Sequence, residues 1–386
     1  MNERVLEHGV IGAAGLDEGK IEAACALALS AETSWPRDLS RGLGSDRQTQ
    51  EPDWGEVLGP TRPRGGPNGL VLHRGRPICR WGDASRVDMT FSVTKSFLAL
   101  LAGIAQGDGL FGSLDEPVRE RVSDGGFDSP HNAGISWRHL FEQTSEWQGT
   151  LWGKPDQVDH FRALGAPGKQ SGPPKGARRQ LEAPGTYWEY NDVRVNRLSL
   201  CLLRLFGRPL PEVLADRVMS PIGGSRTWSW EPYRNAAVEI EGRPVMSVPG
   251  GGHWGGGLFI SSEDLARVGR LVQQGGLWEG QRILPEGWTT AIRKPCRLNP
   301  VYGLLWWLNT GRGYVAEAPE TSYFMVGAGA NIVWIDDALE LVAVLRWIDR
   351  ERLGEIVAAF LDAWPRGAAG VSPGMHYHLE PSATGT

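Results

Sequence analysis

The sequence predicts an α+β protein: an antiparallel sheet flanked by helices, with an all-helical lobe inserted between the two halves of the sheet. Three observations carry this. Strand-like apolar runs lie at 69–82 and again at 332–347, towards opposite ends of the chain. Helical spacing of apolar residues dominates between about 116 and 222. One segment, 91–105, is apolar nearly all round, the pattern of a helix at the centre of its protein. This order assigns 1–115 and 223–365 to a discontinuous α/β lobe and 116–222 to a mainly helical one.

Each element has its own local reason. A helix opens after Asp17, a capping residue, with Ile21, Cys25 and Ala28 on one face. Residues 42–69 combine glycine, proline and charge, and read as a long surface loop. Segments 69–75 and 76–82 are two strands joined by a tight glycine turn, and the buried helix follows. The middle block holds a helical stretch at 137–143, a Gly/Pro/Lys loop at 165–176, and a helix over 195–206 with Val195, Leu198, Leu202 and Leu205 on one side. Ser261-Ser262-Glu263-Asp264-Leu265 is a capping-box pattern opening a helix through Val268 and Val272. Segments 332–335 and 339–347 form a hairpin turning at Asp336-Asp337. A last helix buries Leu353, Ile356, Val357, Phe360, Leu361 and Trp364, and 366–386, small and polar, is a disordered tail.

Composition excludes several functions. The chain has 386 residues, 41% hydrophobic and 22% charged, enough for a substantial core. Lys+Arg 40 against Asp+Glu 45 leaves a net charge of -5, which points away from nucleic acid and membrane surfaces and towards a small-molecule partner. The four cysteines lie far apart with no CxxC pair, so free thiols in a reducing compartment are expected and a zinc site is not. Residues 1–8 are charged and lack the apolar stretch of a signal peptide. The longest apolar run, 97–105, is far shorter than the roughly 20 residues that span a bilayer. The expectation is a cytoplasmic protein needing neither metal nor organic cofactor, with its oligomeric state open.

Ser92-Val93-Thr94-Lys95 is the sharpest chemical signal. Spacing of i, i+3 puts both side chains on one helix face. At a first turn, the free N–H groups and the positive end of the dipole favour an alkoxide and disfavour a lysine cation. A lysine that readily gives up its proton there can activate the serine as a nucleophile. The plain alternative is a helix-capping serine beside a lysine whose stem is buried and whose amine reaches water. Two facts favour the chemical reading: there are only six lysines in the chain, and this one opens the most apolar helix, where lysine is otherwise unfavourable.

Phe91-Ser92-Val93-Thr94-Lys95-Ser96-Phe97 resembles the nucleophile motif of the serine β-lactamase and penicillin-binding-protein superfamily. More particularly, it resembles that of the class C β-lactamase-like esterases and amidases, including the 6-aminohexanoate-dimer hydrolases. The resemblance runs over roughly 65–365 through Gln143-Thr144-Ser145-Glu146-Trp147-Gln148-Gly149, Pro184-Gly185-Thr186, Gly255-Gly256-Gly257-Leu258-Phe259-Ile260-Ser261 and the terminal hairpin. It implies the β-lactamase/transpeptidase-like fold, with a cleft between the two lobes. It also implies a general acid/base tyrosine, aligned here with Tyr190; Tyr187 is the lower-ranked rival. The family's Tyr-x-Asn motif ends here in Asp192, which when ionised cannot donate the amide's hydrogen bond, so a substrate-facing role competes with a turn or cap.

The third family motif, Lys-Thr-Gly or His-x-Gly, corresponds to Gly327-Ala328-Gly329-Ala330. Its glycines allow close approach of a substrate, and the N–H groups of Ser92 and Ala330 are the expected oxyanion hole, with Gly327 and Gly329 beside it. No lysine or histidine stands there to clasp the carboxylate of a penicillin. The glycine-rich run 250–257 lacks the ending of a phosphate loop and reads as a wall of the cleft; its His253 is more often structural than a base. Trp147, Trp188 and Trp254 adjoin these segments and are candidates to line a pocket. The expected function is a serine hydrolase acting on a small ester or linear amide, the aminohexanoate type included. A D-amino-acid peptidase or β-lactamase, and a non-catalytic binding relative, are the alternatives.

Overall fold

The computed structural model describes residues 4–45, 52–164 and 172–365. The tail expected at 366–386 and part of the loop expected at 165–176 lie outside the described residues. Seven strands build the main sheet: β1 (Arg4–Leu6), β2 (Asn68–His73), β3 (Arg76–Trp81), β4 (Trp307–Leu308), β5 (Tyr323–Gly327), β6 (Asn331–Asp336) and β7 (Leu341–Arg346). Their order is β1-β3-β2-β7-β6-β5-β4, with every neighbouring pair antiparallel. The β2–β3 turn works because Arg74 and Gly75 both adopt positive φ, 51° and 71°, which matches the twist of the flanking strands. Early and late strands share one sheet, as the sequence predicts.

The principal helices are α1 (Glu18–Ser30), α2 (Val93–Gly107), α3 (Asp192–Phe206), α4 (Ser262–Gln273) and α5 (Leu353–Leu361). α1 and α5 pack against each other over one sheet face, and α2 and α4 cover the other. Alternate residues divide accordingly: Ile332, Trp334, Ala343 and Leu345 join the α1/α5 core, while Val333, Ile335, Val342 and Val344 join the α2/α4 core. Both faces being covered explains why β6 and β7 read as continuous apolar runs. α2 is buried from Val93 to Ala105. Asp17 caps α1 by accepting from Lys20 N at 3.1 Å.

Three local expectations differ from the structure. Part of 42–69 is pinned rather than exposed. A helix, Leu39–Ser45, runs into it, Leu58 is buried, and the buried Arg64 guanidinium donates to the carbonyls of Trp35 and Gly65. Ser261 does cap α4, accepting from Asp264 N at 3.1 Å, but Asp264 does not reciprocate: its carboxylate accepts from Ser225 N and Oγ, at 2.9 and 2.6 Å. α3 starts at Asp192, ahead of the expected 195, because Asn191 caps it by accepting from Val193 N and Arg194 N. That early start puts Asp192 in the first helical turn.

A smaller sheet joins Asp88–Met89, Gly257–Ile260 and Ser229–Glu231 next to the start of α2. Arg346, the last residue of β7, ties the two sheets together. It is buried and donates to Asn331 Oδ1 and Ile260 O at 2.6 Å and to Met89 O at 2.8 Å. Burial lowers its pKa to about 10. Among the described residues no helix is long and apolar enough to cross a membrane.

Candidate active site

Ser92 sits at the cap of α2, immediately after Phe91, whose φ of 51° is unusual for a bulky residue. Packing holds that conformation: Phe91 meets Trp35 and Trp347 edge-on, with ring centroids 5.4 and 6.3 Å apart. Thr94 Oγ1 donates to Phe91 O at 2.6 Å and accepts from Leu258 N at 3.2 Å, which locks the corner to the small sheet. Such a strained residue beside a candidate nucleophile is typical of functional sites.

One turn along, Lys95 donates to Ser92 Oγ at 2.8 Å. Lys95 is 1% exposed, and it also donates to Asp192, likewise 1% exposed. The buried Lys95 thus has a carboxylate partner as well as the serine hydroxyl. Asp192 accepts from Arg162 through its other oxygen, so neither oxygen faces a substrate freely. Asp192 lies in the first turn of α3, and the cap of that helix is Asn191.

A second buried carboxylate lies behind the first. Asp159 accepts from Asp192 N at 2.8 Å and pairs with Lys175 at 3.1 Å and Arg162 at 3.5 Å. His253 completes the group, its ring 3.7 Å from Asp192 Oδ2 and within 3.4 Å of Arg162 and 3.2 Å of Lys175. Burial works against both carboxylates, yet Lys95 and Arg162 hold Asp192 well below the usual carboxylate range, and Lys175 and Arg162 hold Asp159 at about 2. Burial, then Lys175 and Arg162, push His253 well below its ordinary value and keep it neutral. Three cations, Lys95, Arg162 and Lys175, therefore face two carboxylates in this cluster.

Tyr190 is 5% exposed, with Lys95 Nζ 4.7 Å from its ring centroid and the Arg162 guanidinium carbon at 5.4 Å. Tyr187 lies instead under Arg179, at 4.3 Å. The structure thus brings Ser92, Lys95, Tyr190 and Asp192 together and leaves Tyr187 apart.

The glycine segments behave differently from one another. A Cβ on Gly327, at the end of β5, would run into Thr90 O and lie 3.2 Å from Ser92 N, so this glycine lets β5 abut the start of α2. Ala330 turns away: it is buried in the α1/α5 core, and a side chain on neighbouring Gly329 would strike Trp347. Of this segment it is Gly327, not Ala330, whose contact with the start of α2 the structure shows. Ala328, next to Gly327, is exposed, and its carbonyl accepts from Asn331 Nδ2 at 2.7 Å. In the run 250–257, a Cβ on Gly251 would strike both Asp192 Oδ1 and Lys95 Nζ. The run is a wall pressed directly on the ion pair.

Of the three tryptophans, Trp147 and Trp254 are core, donating to Gly126 O at 2.8 Å and Trp54 O at 2.6 Å, whereas Trp188 is half-buried beside Tyr190. The Gln143 to Gly149 stretch is support. Gln143 Oε1 accepts from Asn191 N at 3.1 Å, and the fully buried Glu146 pairs with Arg179 and Arg194. Arg162, Asp159 and Lys175 were not anticipated. Lysine's rarity could have flagged Lys175, but nothing marks Arg162 or Asp159. Among the described residues no group of three or more His, Cys, Asp or Glu side chains could hold a metal ion.

An antiparallel sheet between helix layers, with a serine and a lysine one turn apart at a buried helix, defines an enzyme of the serine-hydrolase class. The beta-lactamase family model matches residues 70–348, and the chain belongs to that family. Solved structures share its fold at low identity. A proposed 6-aminohexanoate-dimer hydrolase from Bacillus anthracis is 15% identical over 76% of this chain and 77% of its own, with a TM-score of 0.51. A D-stereospecific amidohydrolase from Streptomyces sp. is 17% identical over 88% and 97%, with a TM-score of 0.53. The hydrolase EstCE1, with promiscuous acyltransferase activity, is 15% identical over 89% and 99%, with a TM-score of 0.54. No curated protein matches this chain.

Proposed function

We propose that the protein cleaves a small ester or linear amide through an acyl-enzyme on Ser92. The observation that carries this reading is the charge-matched Lys95, buried and donating to the Ser92 hydroxyl at 2.8 Å. Ser92 Oγ attacks the carbonyl carbon, and its proton passes to the Tyr190 oxygen, which acts as the general base. Lys95 orients Oγ and stabilises the negative charge that develops on it. The N–H groups of Ser92 and Ala328, on the two segments joined at Gly327, are assigned the oxyanion. Tyr190 then gives the proton to the departing oxygen or nitrogen. Water attacks the ester in turn, gives its proton to Tyr190, and Ser92 recovers it as the acid leaves.

The β5 sequence Tyr323-Phe324-Met325-Val326-Gly327 offers no cation for a β-lactam carboxylate, which ranks β-lactams last. The fold shared with an amidohydrolase and with a proposed 6-aminohexanoate-dimer hydrolase supports linear amides, the aminohexanoate type among them. The sequence spacing of the four cysteines, with no CxxC pair, fits a reducing, cytoplasmic setting. The test is a panel of p-nitrophenyl esters, linear amides including the 6-aminohexanoate dimer, and a chromogenic cephalosporin. Ester or amide turnover that vanishes in Ser92→Ala is expected. Turnover that survives this substitution, or a cephalosporin outpacing every ester and amide, overturns the proposal.

A further inference from the structure

We infer, resting on the reading above, that the substrate's leaving group is an uncharged aromatic alcohol or amine, received by a wall of Trp188, Trp307 and Tyr314 that continues from the ring of Tyr190. The rings are contiguous. Trp307 lies 6.0 Å from Tyr190 at 30° and stacks on Tyr314 at 5.0 Å and 28°, while Trp188 lies 6.4 Å from Tyr190. Tyr302 backs them edge-on, 5.5 Å from Trp188 and 5.1 Å from Trp307. Trp188, Trp307 and Tyr314 are each half-buried, whereas Tyr190 and Tyr302 are buried. The wall therefore has an inner layer fixed by packing and an outer layer open to contact.

Mechanism fixes which half of the substrate it meets. Tyr190 gives the leaving atom its proton, so a surface continuous with the Tyr190 ring lies on the leaving side. Trp307 is on the edge strand β4, opposite Phe324 of β5, and β5 ends at Gly327 against Ser92 N. Charge argues for a neutral group. The cations over Tyr190, Lys95 and Arg162, are both engaged by Asp192, and Arg350 lies at the far end, 4.9 Å over Tyr314. Aromatic faces and edges favour another aromatic ring over an alkyl chain of similar size. In the step itself the Ser92 Oγ–carbon bond forms and the carbon–oxygen bond to the alcohol breaks. The serine proton travels through Tyr190 to that oxygen, and the alcohol departs neutral.

Benzyl butanoate and cyclohexylmethyl butanoate form the same butanoyl-enzyme and release primary alcohols of the same carbon count and similar acidity, so a difference in kcat/KM belongs to the aromaticity of the leaving group. A preference for the benzyl ester of about tenfold or more is expected, within the range of a well-placed aromatic contact. Trp307→Ala and Trp188→Ala should each cut that preference by at least about threefold, and Trp307→Phe should restore most of it. Because an alanine variant could fold poorly, inhibition of the unmutated protein gives an independent reading: benzyl alcohol should inhibit at a clearly lower concentration than cyclohexylmethanol. Equal kcat/KM values for the two esters, or equal inhibition by the two alcohols, overturns this inference while Ser92-dependent turnover leaves the hydrolase reading standing. Absence of Ser92-dependent turnover with either ester, or with any member of the earlier panel, removes both.

Discussion

Lys95 and Asp192 form an ion pair that solvent barely reaches, and Lys95 holds the hydroxyl of Ser92 from within it. A buried charge is tolerable only when matched, and here one carboxylate matches two cations, Lys95 and Arg162. Asp192→Ala would leave Lys95 without its carboxylate and Arg162 with Asp159 alone, and should destabilise the fold by about 3–5 kcal/mol in urea unfolding. Asp192→Asn keeps the shape and an acceptor, so it should cost less stability. Its turnover should still fall at least about tenfold, because the charge that positions Lys95 is gone. Parental activity in Asp192→Asn would remove Asp192 from the account.

Gly251→Ala tests the same pair from the opposite side. Its methyl would meet Asp192 Oδ1 and Lys95 Nζ at once. The cluster must shift to admit it, and a misplacement of about 1 Å at a reacting group can cost about 10²-fold in rate. We expect kcat to fall by about that factor in a protein that still unfolds cooperatively.

Acid should weaken the fold in two stages. The unfolded chain binds a proton at His253 near 6.5 that the buried ring refuses, so stability is present above that pH and falls below it. Asp192 and Asp159 ionise below the ordinary 3.8, so their contribution holds above that value and is lost as pH falls through their lower folded values. Urea midpoints measured from pH 8 to pH 2 should therefore show a gentle decline below about 6.5 and a steep one below about 4. His73 and His139 are pushed down by burial as well, so His253→Gln should shrink the first stage rather than abolish it.

Two tyrosines three residues apart should separate cleanly. Tyr190→Phe removes the proposed proton carrier and should lower kcat by about 10²–10⁴-fold. Tyr187, under Arg179 and away from Lys95, should tolerate phenylalanine with a change of less than about threefold. Equal effects would withdraw the assignment of Tyr190.

Much of this was legible from local pattern. α2 announces itself because it is apolar on every side, and Ser92 with Lys95 stands out because i, i+3 spacing needs no tertiary information. The β2–β3 and β6–β7 hairpins follow from apolar runs and turn residues. What the pattern could not show depends on contacts between distant segments. Arg162 lies in a stretch without periodicity and becomes important only where the chain folds back to Asp192. A glycine-rich turn does not reveal which of its residues faces α2; the close approach of Gly327 to Thr90 and Ser92 depends on the tertiary fold. The fate of Asp192 was equally hidden, since its partners lie 97 and 30 residues away along the chain.

The most direct test of the central claim is covalent labelling with a fluorophosphonate, read by intact mass and peptide mapping. One adduct on the peptide carrying Ser92 is expected, absent in Ser92→Ala and formed far more slowly in Lys95→Ala. An unlabelled native protein, an adduct on another serine, or labelling indifferent to Lys95 would contradict it.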